Sequence, residues 1–531
     1  MKRLLWGIGC LLCAFGAGAQ TPEWQNPGIP STHKAPLRAE FISYDLREAA
    51  TAGDRSKSPH YLLLAGNWRA HAVDRPADRI EGFNRPMFSV ARWDERAVPC
   101  LDAAPARSGL DGLTPPRLPG TNPTVQYRAE IEVPYMWLDR DMFIHIEGAQ
   151  SGYYLWVNDR LVGYCEDTRT PAEFEITKYV TDGLNSIGIE VIGYTTGAWL
   201  ETLNRPAAAP GALGTVYVYS QPKVRIEDFI VSTRSDARRI DGLLDIDVAL
   251  SNSYNDTEPL IVGFDIYAPS GKLFTYNQKE ITLSNYGKDT VRFSEAIYGA
   301  IKDWPWSPAK PNLYKAMLYI KRDGRMIEYI PFRIGFHDTS FADGTILLRG
   351  QPLEIKAARY NAAADRKTTS AEIATLKKQG INTLCTDYPQ PGWFYGLCDE
   401  QGLWVIDQAN LNSGFRPEDR NAGGTTANDP AWLASYLDRS ASLIPRSRNH
   451  TCIIGWSMGG DAGNGYNLYK SYQLLKQMDT VRPIIYMGAA GEWNTDMEYP
   501  AAQDARTILD QAARDAAKAP AKGRKPAPRR K

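Results

Sequence analysis

Aromatic side chains are the ligand-binding groups in which this sequence is richest. Phe, Trp and Tyr make up 11% of the 531 residues, with 14 Trp and 28 Tyr. The flat face of such a ring can stack on a sugar, and the same residues favour β-strands. For any one aromatic residue, packing in the core of a β-sandwich is the more common role. The composition therefore allows a sugar-binding surface and favours a β-rich fold.

The cysteines and histidines do not form a metal-binding pattern. After residue 19 the chain keeps Cys100, Cys165, Cys385, Cys398 and Cys452, an odd number with no pair separated by two residues and no neighbouring histidine cluster. Such thiols more often pack as small apolar side chains than form a disulfide framework. We therefore expect no zinc site and no cofactor.

The first nineteen residues have the pattern of a secretory signal peptide. Lys2 and Arg3 precede the apolar run Leu4–Phe15, and Ala17–Ala19 offers small residues for cleavage before Gln20. We therefore expect export to the periplasm, the cell envelope or the extracellular space. No later apolar run reaches the roughly 18 residues of a membrane span, so no transmembrane span is expected.

The charges of the chain balance overall but not locally. The 61 Lys and Arg equal the 61 Asp and Glu, and a formal net charge of +0 gives no indication of nucleic-acid binding. Basic residues without any acid occupy Lys518–Lys531, where several prolines interrupt a helix. This pattern predicts a disordered tail. The tail either is solvated without a partner or docks on an acidic surface or anionic lipid.

Two β-rich segments are predicted after an extended, Pro-rich arm at residues 20–60. Alternation of apolar and polar residues, clearest in Tyr127–Val133, and recurring turn signals predict a jelly-roll β-sandwich over residues 61–220. Residues 221–338 show the same alternation and turn signals over about the length of an immunoglobulin-like domain, which predicts a second β-sandwich. In that second sandwich Asp323-Gly324 indicates a β-hairpin.

From residue 339 to 500 the pattern changes to strands alternating with helices. Helices are predicted at Ser370–Gln379, Pro430–Ile444 and Tyr466–Met478, and a short apolar strand follows each one. Such alternation predicts a parallel sheet, here about six strands of a partial TIM-type (β/α) barrel. Residues 501–531 are predicted as an Ala-rich helix, Ala501–Ala519, and the basic tail.

Several short motifs follow one another in a fixed order between Trp24 and Pro500. They are Leu64–Arg69, Leu155–Tyr164, Asp167–Phe174, Pro311–Tyr314, Gly335–Phe336 and Arg448–Gly459. Their order resembles that of the β-galactosidase branch of glycoside hydrolase family 2, and Leu155–Tyr164 is the most specific match. The resemblance implies a jelly-roll sandwich, an immunoglobulin-like sandwich and a TIM-type barrel, in that order.

The resemblance also implies a retaining glycosidase, but the catalytic positions differ. Such enzymes use two carboxylates about 5 Å apart. The family's acid/base Glu follows an Asn, and the matching positions here are Gly460 and Asp461. Asp461 is one methylene shorter, so it would lie ~1.5 Å further from the scissile oxygen, a displacement that can cost ~100-fold. The family's nucleophile lies on the seventh barrel strand, and no matching strand follows Pro500, so the sequence looks degenerate and C-terminally shortened.

Glu492 and Glu498 are poor substitutes for that nucleophile. Both precede the strand position that the retaining geometry requires.

The magnesium ligands of the family are also changed. A Glu and a His that bind magnesium correspond to Asn412 and Gly414, and the acid on the third strand corresponds to Gln408. A hard cation prefers carboxylate oxygens, so the resemblance implies no metal here.

Sugar-binding positions survive only in altered form. The sandwich Asp that reaches the sugar corresponds to Asn204, and the His on strand two corresponds to Asp387. Asn410 keeps its place on strand three. These three residues are the substrate-binding candidates, with Trp393 and Trp404 as stacking aromatics. Core packing is the alternative role of both tryptophans.

We therefore expect an exported family 2-like protein that is catalytically inactive and binds carbohydrate or serves as a scaffold subunit of an envelope assembly. Either the Ala501–Ala519 helix or an envelope partner would cover the open barrel edge. One alternative is a diverged glycosidase of β-galactosidase type that uses Asp461 as acid/base. Another is a remnant without a role. A second carboxylate within about 6 Å of Asp461 would favour the enzyme, and an exposed aromatic patch beside the open edge would favour the scaffold.

Overall fold

The computed structural model describes residues 21–101, 109–204, 210–363, 365–415 and 425–518. In chain order they form two β-sandwiches and a parallel sheet with flanking helices, so the predicted fold class is confirmed. The predicted signal peptide and almost all of the basic tail lie outside the described residues. In the described part of the chain, no helix is long and apolar enough to cross a membrane.

The first sandwich packs a seven-stranded sheet on a four-stranded one. In Thr124–Val133, Ile131 and Val133 are buried whereas Glu130 and Glu132 are exposed, so the predicted alternation places one face in the core. The sheets are ordered β1-β8-β7-β10-β5-β3-β4 and β2-β11-β6-β9. The strands are β1 (Ser31–Thr32), β2 (Tyr61–Leu63), β3 (Gly66–Val73), β4 (Asp94–Val98), β5 (Thr124–Val133), β6 (Arg140–Ile146), β7 (Gly152–Val157), β8 (Arg160–Glu166), β9 (Ala172–Glu175), β10 (Gly183–Ile192) and β11 (Val216–Pro222).

The second sandwich packs three strands, β12-β13-β16, on four, β15-β14-β19-β20. The hairpin predicted at Asp323-Gly324 is confirmed, because both residues have positive φ and join two antiparallel strands. The strands of this sandwich are β12 (Val224–Ser235), β13 (Gly242–Asn252), β14 (Glu258–Tyr267), β15 (Leu273–Leu283), β16 (Lys288–Ile297), β19 (Tyr314–Arg322) and β20 (Arg325–Ile334). Between β16 and β19, β17 (Trp306–Ser307) and β18 (Lys310–Pro311) form a separate two-stranded sheet.

A small antiparallel sheet leads into the barrel segment. It contains β21 (Thr339–Ala342), β22 (Thr345–Leu348) and β23 (Gln351–Pro352). Six parallel strands follow: β24 (Ala357–Arg359), β25 (Thr383–Cys385), β26 (Trp404–Gln408), β27 (Ile453–Ser457), β28 (Ile484–Ile485) and β29 (Ala502–Asp504). The helices are α1 (Arg47–Ala52) in the arm, then α2 (Arg366–Lys378), α3 (Gly392–Gln401), α4 (Leu433–Ala441), α5 (Ile444–Ser447), α6 (Tyr466–Met478) and α7 (Ala505–Lys518).

The sixth barrel strand lies where the sequence predicts a helix. The sheet order is β28-β27-β26-β25-β24-β29, so the last strand pairs with the first. Ala502–Asp504 run parallel to Ala357–Arg359, and the helix begins only at Ala505. The prediction of a helix from Ala501 is therefore wrong for its first residues. Alanine favours helices, but pairing with a distant strand outweighs this local preference.

One edge of the barrel sheet, at β28, is partly covered by the chain itself. The segment between β28 and β29 bonds to the edge strand, because Asp496 N donates to Ile484 O at 2.8 Å and the Asp496 carboxylate accepts from Ile484 N at 2.7 Å. Met497 and Tyr499 then pack against the barrel core. Helix α7 lies elsewhere, beside α2, where Arg506 pairs with Glu372 at 3.5 Å.

A buried charge cluster joins the arm to the first sandwich. His145 lies 3.0 Å from Glu173 and 3.6 Å from Glu147, and Arg38 lies 3.4 Å from Glu173. Burial opposes the charge of His145, but the two glutamates outweigh it and raise its pKa to about 9. Burial likewise opposes the charge of Glu173, but Arg38 and His145 lower its pKa to about 2.

We expect the protein to lose stability as the pH rises from neutral to alkaline. A histidine with a raised folded pKa stabilises fully below the unfolded pKa of ~6.5, and this stabilisation is lost as the pH rises through about 9. Denaturant unfolding at about pH 6 and about pH 9.5 should differ by on the order of 2 kcal/mol.

The variant His145→Gln should lose most of this pH dependence. His71→Gln is the matched control, because His71 stacks on Trp93 at 5.5 Å and is no part of the cluster. An unchanged pH dependence in His145→Gln would contradict the assignment.

Candidate functional site

The carboxyl ends of the barrel strands face the first sandwich. In parallel barrels, the residues that follow the strands converge at this end. The loop at Leu200–Asn204 lies directly on it, because Leu203 N donates to Asn412 O at 3.0 Å and Asn412 N donates to Leu200 O at 2.8 Å. The candidate site is therefore built from two domains.

Asn204 is the side chain through which the sandwich contacts two barrel loops, those after β25 and β26. Its Nδ2 donates to Asp387 O at 2.6 Å and to Asn410 Oδ1 at 3.2 Å, and its Oδ1 accepts from Asn412 Nδ2 at 3.0 Å. Asn204 is only 4% exposed and Asn410 is fully buried. The structure thus brings together three of the predicted binding residues, but their amides already bond to the protein.

Asn410 also belongs to a buried ionic network. Its Nδ2 donates to Asp167 Oδ1 at 2.7 Å and to the Glu201 carboxylate. Arg439 of α4 lies 3.2 Å from Asp167 and 3.7 Å from Glu201. Burial opposes the charge of Arg439, but the carboxylates outweigh it and raise its pKa. Sequence reasoning missed this network, although Asp167 begins one of the matched motifs.

Asp387 presents its backbone to the network and its side chain to a neighbouring loop. The Asp387 carbonyl also accepts from Gln408 Nε2 at 2.7 Å, and its carboxylate accepts from Asn361 Nδ2 at 2.7 Å. Arg359 lies 3.4 Å from the same carboxylate. Burial raises the pKa of Asp387, although Asn361 and Arg359 act to lower it.

Gly460 and Asp461 lie in the loop after β27, at the same end of the barrel. Gly460 N donates to Leu411 O at 2.8 Å, and Asp461 Oδ1 accepts from Gly463 N at 3.2 Å. A β-carbon at residue 460 would lie only 2.4 Å from Asn412 Oδ1. The Asn412 amide therefore occupies the space of a side chain at residue 460.

The two candidate stacking aromatics have different surroundings. Trp404 begins β26, is fully buried and lies 4.6 Å from Trp306 and 5.3 Å from His337, measured between ring centroids. Trp393 is half-buried against the barrel core. Trp404 therefore packs in the core, which is the alternative that the sequence left open. Neither tryptophan belongs to the Asn204 network.

The positions at which the resemblance implies magnesium ligands do not suit a hard cation. Asn412 offers an amide already bonded to Asn204, and Gly414 has no side chain. Among the residues that the structure describes, no group of three or more His, Cys, Asp or Glu side chains is arranged to hold a metal ion.

Family comparisons agree with the fold and cover all three domains. The family model for the glycosyl hydrolases family 2 sugar binding domain matches residues 111–221, the glycosyl hydrolases family 2 model matches residues 224–337, and the model for the TIM barrel domain of that family matches residues 345–518. The chain therefore belongs to glycosyl hydrolase family 2.

Its curated relatives place it on the β-galactosidase branch. It is 31% identical to a β-galactosidase of Priestia megaterium over 88% of this chain and 48% of the relative. It is 30% identical to a β-galactosidase of Vibrio cholerae over 90% of this chain and 48% of the relative. The chain thus spans about half the length of the curated relatives it matches.

Solved structures show the same fold at low identity. A family 2 member from Bacteroides cellulosilyticus aligns with a TM-score of 0.63 at 18% identity, covering 85% of this chain and 59% of that one. A β-glucuronidase of Bacteroides uniformis aligns with a TM-score of 0.65 at 16% identity, covering 80% and 52%.

We expect a side chain at residue 460 to destabilise the protein through Asn412. Gly460→Asn should cost about 1–3 kcal/mol, because the new side chain and the Asn412 amide compete for one space. Asn412→Ala empties that space, so the double variant should be less destabilised than the sum of the single variants.

Gly120→Asn provides the control, since a β-carbon at residue 120 meets no atom within 4 Å. Chemical denaturation of the four variants measures the coupling. Additive single effects would show that Asn412 does not exclude a side chain at residue 460.

Proposed function

We propose that this chain is a carbohydrate-binding member of family 2 that does not hydrolyse glycosides by itself. The observation that carries the proposal is the hydrogen bonding of Asn204, Asn410 and Asn412 at the barrel mouth. A sugar that bound these amides would first have to break the hydrogen bonds they already make, and each buried polar group left without a partner would cost about 1–3 kcal/mol. These positions therefore serve the joint between the domains.

The acid/base position supports the same proposal. Asp461 carries a shorter side chain than the family's Glu, and the position before it has no side chain to hold a sugar hydroxyl. Asn412 fills the space into which that neighbouring side chain would extend. A glycosidase needs both carboxylates within a fraction of an ångström of the productive geometry.

We further propose that the protein is exported and acts as a binding or scaffold subunit of an envelope assembly. The pattern at residues 1–19 supports export. The match of residues 111–221 to a sugar binding domain supports carbohydrate as the ligand class. A partner has less of the barrel to cover than the sequence suggests, because the segment carrying Asp496 already bonds to the edge strand.

The second candidate is a diverged glycosidase of β-galactosidase type. Asp461 is partly exposed in the loop after β27, where a barrel enzyme places catalytic groups. This candidate requires a second carboxylate about 5 Å from Asp461 to act as the nucleophile. The β-galactosidases among the relatives are the observation in its favour.

We expect the full-length protein not to hydrolyse aryl β-galactosides or aryl β-glucuronides in an Asp461-dependent way. The measurement compares turnover by the wild type, Asp461→Asn and the control Asp510→Asn, which alters an exposed carboxylate on α7. Turnover that falls about 100-fold in Asp461→Asn and not in the control would establish the glycosidase.

The export and assembly proposals predict a mature chain that begins at Gln20 and co-purifies with a stoichiometric partner. Mass spectrometry of the tagged protein isolated from its native envelope tests both points. An N-terminus that retains Lys2 and Arg3 would refute cleavage, and a monomer free of partners would refute the scaffold role.

A further inference from the structure

Four aromatic residues form a partly exposed surface beside the edge strand of the barrel. Tyr466, Tyr469 and Tyr472 lie on α6, and Trp493 lies in the segment after β28. The Trp493 ring is 5.1 Å from Tyr469 at an interplanar angle of 34°, and 5.6 Å from Tyr472 at 86°. Trp493 is 53% exposed and Tyr466 is 40% exposed. These four residues are called the aromatic platform below.

Two rings of the platform, Tyr469 and Tyr472, are fixed by hydrogen bonds of their hydroxyl groups. Tyr469 Oη donates to Glu492 Oε2 at 2.5 Å, and Tyr472 Oη donates to Asp496 Oδ1 at 2.7 Å. Because both phenols are anchored, Trp493 rests on a fixed support. Its exposed face is therefore a preorganised surface, which reduces the entropic cost of binding.

Polar groups lie among and beside these rings. The ammonium group of Lys470 is 5.8 Å from the centre of the Tyr466 ring and donates to Gln473 at 3.3 Å. The Glu492 carboxylate adjoins the Tyr469 hydroxyl. Carboxylate, amide and ammonium groups thus surround aromatic faces, whereas the centre of a protein interface is typically depleted of charge.

The platform is attached to the loop that carries Asp461. Asn464, three residues after Asp461, exchanges hydrogen bonds with Asn494 at 3.2 and 3.0 Å, and Asn494 directly follows Trp493. Both asparagines are buried. The platform therefore has a fixed position relative to the barrel mouth, just outside the network formed by Asn204.

We infer that the aromatic platform binds a pyranose ring of an oligosaccharide or polysaccharide. A pyranose has an apolar C–H face and a rim of hydroxyl groups, and this pattern matches the aromatic faces of the platform, with Glu492 beside Tyr469 and Lys470 and Gln473 beside Tyr466. Trp493 stacks on the sugar face, and Tyr466 extends the surface by one helical turn. The inference rests on the proposed carbohydrate-binding function, and it moves the binding position from the barrel mouth to the barrel edge.

Affinity gel electrophoresis of the full chain in soluble galactan, glucuronoxylan and mixed-linkage β-glucan tests this assignment. We expect at least one polysaccharide to retard the wild type. Trp493→Ala and Tyr466→Ala should each weaken that binding about tenfold, and Trp493→Phe should keep part of it.

The controls are Tyr135→Ala and Tyr298→Ala, which remove aromatic side chains that are 81% and 73% exposed elsewhere. Thermal unfolding of each variant identifies a loss of folding, and Trp493→Phe remains informative if Trp493→Ala unfolds. Retardation of the wild type and equal retardation of both Trp493 variants would overturn the platform and leave the carbohydrate-binding function intact. No retardation of the wild type in any of the three polysaccharides would overturn the function and the platform together. Loss of binding to a protein partner, with glycan binding unchanged, would identify a protein-docking surface and overturn the assignment.

Discussion

The buried pairing of Arg439 with Asp167 and Glu201 is the interaction on which the arrangement of the two functional domains depends. It joins a helix of the barrel to two loops of the first sandwich, at 3.2 and 3.7 Å. Buried charges are tolerated only when each has its partner. A shift of either domain would separate these charges while they remain buried. The ionic pairing therefore holds the sandwich against the barrel in one position. The positions of Asn410 and Asn204 follow from that arrangement of the two domains.

This rigidity supports the proposed binding at the edge of the barrel rather than chemistry at its mouth. In an active site, polar side chains remain available to hydrogen-bond the substrate. These hydrogen bonds give the enzyme its specificity. Here Asn204, Asn410 and Asn412 meet these needs among themselves. The same chemical groups that would bind a sugar have become the contact surface between two domains, while the rings at the edge remain open to solvent.

The fold was largely predictable from the sequence, because alternation and motif order report directly on local structure. The run Tyr127–Val133 became a strand, and the motifs around Leu155–Tyr164 indicated the family. The convergence of Asn204 with Asn410 followed from the resemblance, but their burial did not. Burial depends on the partner Arg439, which lies far away in the chain and carries no motif.

Two other features were beyond sequence reasoning for related reasons. The sequence left Trp404 with two roles, stacking on a sugar or packing in the core, and the contacts with Trp306 and His337 show that it packs in the core. Ala502–Asp504 looked helical because alanine favours helices, and only the pairing with Ala357–Arg359 makes it a strand. In both cases a distant contact outweighs a local preference.

The pairing of β29 with β24 also has a consequence for the order of folding. The first strand of the parallel sheet gains its outer neighbour only from the last strand, so the sheet has one of the longest loop closures in the chain. Contacts of high sequence separation form late and slowly. The barrel segment must therefore remain incomplete until its final strand arrives, whereas the second sandwich contains three pairs of strands that are neighbours in the sequence.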